Sequence, residues 1–387
     1  MESAHRLKLH CIRMMYTMGS AVPPETFLFR ANAYMHLQMP YFAMADYNSA
    51  SKILKLSGRH DVECRGAVDA LPLVLSGTYP AIDTHLTMLV NPYLGPNVRV
   101  DTALLLDSSQ KQSSTKGRGI FAARDLDAGE VVLAPHGPWL LYPLYDGGCS
   151  YCGKPLGTRV FQCKNERCHE EYCSRPCRHT AASVYHQKVC ENQMFQSVEL
   201  DLYAQYKALT GSRSSQNGVA AQLLATRIIA AALQQQLIPS AMPEVRSLVG
   251  RISFSPKEVS GPILDVYERL AHGCGFLTSI SFEEYFSLLA RISANSFHEN
   301  NNCIAHYVPR AMLNHSCDAN VVASDSTLGE DDGVGFITSR KVSRGAELCI
   351  NYYPHLKHLG VKERWKEIRN ISFECSCPRC EEEKKII

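Results

Sequence analysis

The chain has 387 residues, room for two or three domains with buried cores. Charged residues make up 20 % of it and the formal net charge is +2, which argues against a polybasic nucleic-acid binder; no stretch has the length and hydrophobicity of a membrane span. The early run Cys11-Ile12-Arg13-Met14-Met15 is interrupted too soon for a signal peptide, so a soluble protein of the cytoplasm, the nucleus or both is expected. In a reducing compartment the 16 cysteines need a reason. Eleven fall between Cys149 and Cys190 or in the set Cys317, Cys375, Cys377 and Cys380, and such short spacings favour zinc over disulfides. Cys11, Cys64, Cys274, Cys303 and Cys349 are scattered and read as ordinary buried or free thiols.

Residues 1–77 read as helical. Phe27-Leu28-Phe29-Arg30-Ala31-Asn32-Ala33-Tyr34 leads through Pro40 to Ala43, Ala45, Tyr47 and Ala50. This pattern of small and aromatic residues resembles the helix-turn-helix of a tetratricopeptide (TPR) repeat; an amphipathic hairpin of no repeat family fits equally well. One repeat cannot bury its own face, so it is expected to pack on neighbouring helices such as residues 61–77. Residues 78–97, rich in Pro and Gly, read as a connector. Strands are expected from Val98-Arg99-Val100 onward. Ser113-Ser114-Thr115 then runs into a turn at Lys116-Gly117-Arg118-Gly119, with Ile120-Phe121-Ala122-Ala123 as a strand, Asp127-Ala128-Gly129-Glu130 as a turn and Val131-Val132-Leu133-Ala134 as a strand. A Gly-x-Gly there lets backbone amides approach a ligand closely, or simply makes a turn.

Residues 149–190 carry Cys149 and Cys152, Cys163 and Cys168, Cys173 and Cys177, then His186 and Cys190. Eight potential ligands saturate two tetrahedral zinc ions, and so small a segment has little core without them. His169, next to Cys168, is a substitute ligand at that corner. Residues 191–300 read as mostly helical, with one apolar stripe at Ala220, Leu224, Ile228 and Ala231, another from Phe282 to Ile292, and a polar loop at 211–217. The segment closes with Asn295-Ser296-Phe297, where Asn295 also reads as a helix C-cap. Met312-Leu313-Asn314-His315-Ser316-Cys317 follows, placing two hydrogen-bonding side chains and a thiol directly after apolar residues. Then come Gly345-Ala346-Glu347-Leu348-Cys349-Ile350-Asn351-Tyr352 and Phe373-Glu374-Cys375-Ser376-Cys377-Pro378-Arg379-Cys380. Cys-x-Cys-x2-Cys supplies three ligands where zinc wants four, and Cys317 is available as the fourth.

In that order, the segments at 116–122, 312–320, 345–352 and 373–380 resemble a SET domain with its post-SET zinc site. The Tyr172-Cys173, Cys177, His186, Cys190 tail resembles a MYND finger, and the whole from about 98 to 383 resembles the SMYD family, most like its TPR-bearing branch. The resemblance implies an α+β fold: a β-rich SET domain interrupted by a MYND zinc finger and a helical insertion, preceded by a TPR-like helical segment and ended by a zinc-bound post-SET segment. The corresponding boundaries are 1–77 helical, 78–97 connector, 98–148 first part of SET, 149–190 MYND, 191–300 insertion, 301–354 second part of SET and 355–387 post-SET and tail. Members of that branch continue into further helical repeats, so a short or incomplete form is expected here.

The resemblance further implies a protein-lysine N-methyltransferase that uses S-adenosylmethionine on histone or non-histone lysines. Lys116, Gly117, Arg118 and Gly119 would hold the amino-acid end of the cofactor, Asn295 would reach it, Asn314 and His315 would fix its amino group and adenine, and Phe373 would stack on the adenine. Tyr352 would line the lysine channel as the catalytic residue; a strand tyrosine packed in the core, or Tyr353 in its place, are the alternatives. The implied interleaved pairing gives one zinc to Cys149, Cys152, Cys173 and Cys177 and a second to Cys163, Cys168, His186 and Cys190; the post-SET zinc would take Cys317, Cys375, Cys377 and Cys380. MYND fingers bind proline-containing peptides, which suggests a docking module. The rival reading is a catalytically silent SET–MYND adaptor that binds partners through the finger and the N-terminal helices. A nucleic-acid binder is disfavoured, because Glu166, Glu170 and Glu171 interleave with the basic residues of the cysteine-rich module.

Overall fold

The structure, a computed structural model, describes residues 23–36, 88–106, 112–209, 213–239, 242–246, 248, 261–276, 280, 282–299, 303–324, 334–368 and 375–385, with scattered positions between 7 and 54. The helices expected at 61–77 lie outside these residues, and so does Phe373. Among the described residues run twelve strands: β1 (Val98–Leu106), β2 (Gln112–Ala122), β3 (Val131–His136), β4 (Leu140–Pro143), β5 (Phe161–Gln162), β6 (Glu171–Tyr172), β7 (Ser296–Glu299), β8 (Cys303–His306), β9 (Asn314–His315), β10 (Val321–Ala323), β11 (Val334–Thr338) and β12 (Glu347–Ile350). The chain divides into two compact units, Met1–Tyr79 with Tyr142–Ser293, and Pro80–Leu141 with Ala294–Ile387. No helix of the described residues is long and apolar enough to cross a membrane.

The first unit is helical apart from the small β5–β6 ladder of the cysteine-rich module. On the helix Pro24–His36, Phe27, Ala31 and Tyr34 are buried, as are Ala43, Tyr47 and Ala50 further on, so the small-and-aromatic pattern faces inward. Arg30 on that helix forms a buried bidentate pair with Asp46 at 2.7 and 2.6 Å. Such a pair fixes how two helices meet, because either charge left alone there would be costly. The helix Arg213–Gln234 takes in most of the stretch expected to be a polar loop. Its first turns are polar, with Ser215 and Asn217 exposed; from Val219 to Ala232 every residue is buried, so the expected stripe of Ala220, Leu224, Ile228 and Ala231 belongs to a stretch buried on all faces. Alanines on that stripe let it lie close to the helix Gln193–Ala208, whose start is capped by the Asn192 side chain accepting from the Met194 amide at 2.8 Å.

The second unit is built on sheets. One has the order β1-β2-β12-β9, with β2 antiparallel to both β1 and β12, and β12 parallel to β9. A second has the order β10-β11-β3, all antiparallel, and β7 with β8 forms a hairpin. Their inward faces share one core that includes Val98, Ile120, Val132, Leu133, Met312, Leu313, Phe336, Leu348 and Ile350. The end of the expected connector belongs to this core, since Val90 is fully buried and Leu94 bridges to Leu133. The turn at Asp127-Ala128-Gly129-Glu130 is present: Gly129 has φ +88°, a conformation glycine adopts without a Cβ penalty. Residues 116–119, by contrast, do not form a turn. β2 runs straight through them, with Gly117 opposite Ala103 and Gly119 opposite Asp101, and the irregularity is a register shift between Ala103 and Leu104 of β1.

Candidate active site and metal clusters

β9 is only two residues long, and it carries the Asn-His pair along the edge of the first sheet, beside β12. Parallel pairing sets Asn314 beside Cys349 and His315 beside Ile350, and the Ser316 amide donates to the Ile350 carbonyl at 3.0 Å. Asn320 completes this edge with its side chain, donating to the Glu347 carbonyl and accepting from the Cys349 amide, both at 2.8 Å. Among the described residues β9 pairs with β12 only at Cys349 and Ile350, and the side-chain amide extends that edge.

Both amide protons of Asn314 are committed. Nδ2 donates to the Arg118 carbonyl and to Glu347 Oε1, each at 2.7 Å. The space for this comes from Gly119: a Cβ there would lie 2.7 Å from Glu347 Oε1 and 3.0 Å from Asn314 Nδ2. Gly119 is thus required for close approach within the strand. Glu347 was not among the expected site residues; it lies one position outside the apolar Leu348-Cys349-Ile350 run, and nothing local marks it.

The His315 ring is oriented from both sides. The Tyr352 amide donates to Nδ1 at 3.0 Å, so the ring proton sits on Nε2, which is 3.4 Å from Cys317 Sγ. The Tyr352 hydroxyl donates to the Leu313 carbonyl at 2.8 Å. Burial, followed by the nearby Cys349 and Glu347, pushes its pKa up, which keeps the phenol neutral. Tyr353 packs instead with the Cys317 cluster, which separates the roles of the two tyrosines. The structure therefore gathers Arg118, Gly119, Asn314, His315 and Tyr352 into one network. Lys116 and Gly117 are placed by backbone on β2, and Asn295 ends a helix at the head of β7, in a different sheet.

Among the described residues the ligand atoms within each of three groups lie within 4.8 Å of one another: Cys149, Cys152, Cys173 and Cys177; Cys163, Cys168, His186 and Cys190; and Cys317, Cys375, Cys377 and Cys380. These are the two sets expected from the interleaved pairing and the one expected for the post-SET segment with Cys317. Cys168, not the exposed His169, takes the open corner. Sulfur separations of 3.5 Å for Cys152–Cys173, 3.6 Å for Cys163–Cys190 and 3.6 Å for Cys317–Cys380 match the roughly 3.8 Å edge of a tetrahedron with zinc–sulfur bonds of about 2.3 Å. The sulfurs also compete for charge. A hydrogen bond from Cys152 lowers Cys149 to about 4 while Cys152 is driven up, and Cys377 is held low while Cys317 is driven up. A divalent cation resolves that conflict by stabilising all the thiolates at once. Local structure places these ligands. Ser174 caps the helix Arg175–Ala181 by accepting from the Cys177 amide at 3.2 Å, and a π turn over Ala182–His186 re-aims Tyr185 and His186 inward. In the third group the buried Arg364 donates to Cys380 Sγ at 3.3 Å, a contact that sequence spacing did not reveal.

A short strand carrying Asn-His, laid beside the strand that leads to a half-buried tyrosine and tied to a cysteine cluster, defines a SET-type site. Residues 117–353 match the SET domain, well over half of the chain, and the chain belongs to the SET-domain family. It is 21 % identical over 308 residues to the histone-lysine N-methyltransferase SET5 of Candida albicans, a match covering 70 % of this chain and 63 % of that protein. The histone-lysine N-methyltransferase ASHR2 of Arabidopsis thaliana is 26 % identical over 300 residues, covering 69 % of this chain and 70 % of that one. The human protein-lysine N-methyltransferase SMYD4 is 35 % identical over 75 residues, 19 % of this chain and 9 % of that protein. The chain thus spans a little under two thirds of the fungal relative's length.

Proposed function

We propose that this chain is an S-adenosylmethionine-dependent protein-lysine N-methyltransferase acting on histone or non-histone lysines. The observation that carries the reading is the Asn314 amide, held on the Arg118 carbonyl and Glu347 in the space left by Gly119. With both its protons spent, Asn314 offers only its carbonyl oxygen, an acceptor suited to the ammonium of the cofactor's amino-acid end. β12 pairs with β2 only at Ile120 and Phe121, so among the described residues the backbone of 116–119 has no strand partner on that side and suits the cofactor's carboxylate, with Lys116 near it. Asn295 and Phe373 take the remaining contacts proposed for the cofactor, Phe373 by stacking on the adenine.

When bound, the cofactor supplies a methyl group on a sulfonium. The acceptor lysine, with an ordinary pKa of about 10.4, must present a neutral amine. Burial and an adjacent positive charge both disfavour its ammonium form, and in-line positioning supplies much of the rate. Tyr352 is the positioned hydroxyl in this reading. Because its proton goes to the Leu313 carbonyl, its oxygen faces the reaction as an acceptor for the amine or for a polarised methyl C–H.

Zinc at the three cysteine groups is part of the proposal, the first two forming a MYND-type finger that docks proline-containing peptides and the third tying the C-terminal segment to His315. The N-terminal helices act as a TPR-like partner-binding element, and the protein works in the nucleus, the cytoplasm or both. Calorimetry of S-adenosylmethionine binding to the zinc-loaded protein, beside Asn314→Ala and Tyr352→Phe, tests the reading. Micromolar binding by wild type, lost in Asn314→Ala and kept in Tyr352→Phe, with methyl transfer down by about a hundredfold or more in the latter, is expected. Folded, zinc-replete wild type that binds no cofactor would leave the adaptor.

A further inference from the structure

Behind the second cysteine group lies a buried polar knot that the methyl-transfer reading does not use. Glu170 stands at its centre, immediately before β6. Its Oε1 accepts from Arg227 at 2.7 Å, and its Oε2 accepts from the hydroxyls of Tyr172 and Tyr185 at 2.9 and 3.0 Å. The same Oε2 is 3.7 Å from Nδ1 of His186, whose Nε2 points into the cysteine group, 3.2 Å from Cys163 Sγ. His186 is 5 % exposed and Nδ1 has no hydrogen-bond partner within the first unit's described side chains, so the carboxylate is the group its N–H faces. Arg227 comes from the helix Arg213–Gln234. It donates also to the Ser150 carbonyl, between Cys149 and Cys152, and its guanidinium lies 4.3 Å from the Tyr142 ring centroid, 5.0 Å from that of Tyr185 and 3.7 Å from Glu199.

We infer that Glu170 and Arg227 form the outer shell of the second metal site and link its occupancy to the packing of the Arg213–Gln234 helix. A histidine that ligates through Nε2 is oriented and made more basic by a carboxylate at Nδ1, and losing that partner costs about 10- to 100-fold in metal affinity. Glu170 occupies that place for His186. Arg227 holds the carboxylate in turn, with the two tyrosine hydroxyls fixing its other oxygen. A free carboxylate would rotate toward water; this one is held, so the helix that supplies Arg227 and the metal that needs His186 stabilise each other. Both are positioning residues.

This inference rests on the reading of the second group as a metal site, and the test separates the two. The full chain is loaded with Co2+, whose visible bands distinguish a three-sulfur, one-nitrogen set from four sulfurs, and the ions are withdrawn with a competing chelator. The set is wild type, Glu170→Gln, Arg227→Leu and the exposed-site control Asp146→Asn. Helix protection is followed in parallel by amide hydrogen exchange over residues 213–234. The expected result is a Glu170→Gln protein that keeps the four-sulfur bands at wild-type affinity and loses its three-sulfur, one-nitrogen site about tenfold more readily. Stripping that site should lower helix protection in wild type and in the control but not in Arg227→Leu. Unchanged affinity in Glu170→Gln, or equal weakening of every site, overturns the inference while leaving the metal reading intact. A wild type without three-sulfur, one-nitrogen bands overturns both.

Discussion

Substituting Gly119 by Ala tests the packing on which the cofactor reading depends. The added methyl would lie 2.7 Å from Glu347 Oε1, 3.0 Å from Asn314 Nδ2 and 3.3 Å from the Phe121 ring. The carboxylate cannot swing aside freely, because it is held by the Asn314 amide at 2.7 Å. Either that bond breaks or the strands part. A lost hydrogen bond to a charged group costs about 1.5–3 kcal/mol, and overpacking costs a similar amount. Shared between folding and ligand affinity, this predicts S-adenosylmethionine binding weaker by about 10- to 100-fold, with a thermal midpoint lower by a few degrees. Calorimetry and thermal unfolding read the two parts, with Gly137→Ala as the control, since a Cβ there meets nothing within 4 Å. Adding Glu347→Asp to Gly119→Ala should recover part of the affinity, because a shorter carboxylate withdraws from the methyl. Wild-type binding and an unchanged midpoint in Gly119→Ala would refute the reasoning.

Three further outcomes are expected. Cys375→Ser should weaken cofactor binding by about tenfold as well as lowering stability, because the third group holds Cys317 against the His315 ring that orients the Tyr352 amide; calorimetry showing unchanged affinity counts against that link. Asp46→Ala leaves Arg30 buried beside a vacancy and should cost about 3–5 kcal/mol in chemical unfolding, and a loss below about 1 kcal/mol would show that the pair is not what sets the helix packing. Burial, opposed by Arg227, pushes the Glu199 carboxyl from its ordinary 4.5 up to about 7, so the folded state holds this proton more tightly than the unfolded state does. Its contribution is complete below about pH 4.5 and is lost as pH rises through 7. Glu199→Gln, which keeps an acceptor for Thr226, should flatten that part of the stability–pH curve; an identical slope in the variant would exclude Glu199 as its source.

Chemistry that depends on residue type and spacing was legible before any coordinates. The short gaps among Cys149, Cys152, Cys163, Cys168, Cys173 and Cys177 signalled metal-type groups because paired thiols at such spacings suit tetrahedral zinc. The run from Asn314 to Cys317 and Tyr352 after Asn351 stand out in the sequence as a candidate site because polar side chains follow apolar residues there. Helical periodicity anticipated a helix through Ala220 and Ala231 but only one buried face, whereas every residue from Val219 to Ala232 is buried. Local patterns erred where pairing across the chain overrides local preference. Gly117 and Gly119 read as a turn because glycine favours turns, yet both lie within β2, and at Gly119 the absence of a side chain admits Asn314 and Glu347 from distant strands. The polar residues 213–217 read as a loop, yet they start a helix whose first turns face water.

What only the tertiary structure decided is which groups meet across long sequence separations. Sequence named Asn314, but the Arg118 carbonyl and Glu347 that take its protons are 196 and 33 residues away. Sequence named His186, but Glu170 and Arg227 behind it come from the segment leading into β6 and from the helix Arg213–Gln234. A ligand or catalytic side chain is chosen for its own chemistry and is visible one residue at a time. The partners that orient it are chosen by where the fold brings them, and almost any residue with the right atom can fill the place.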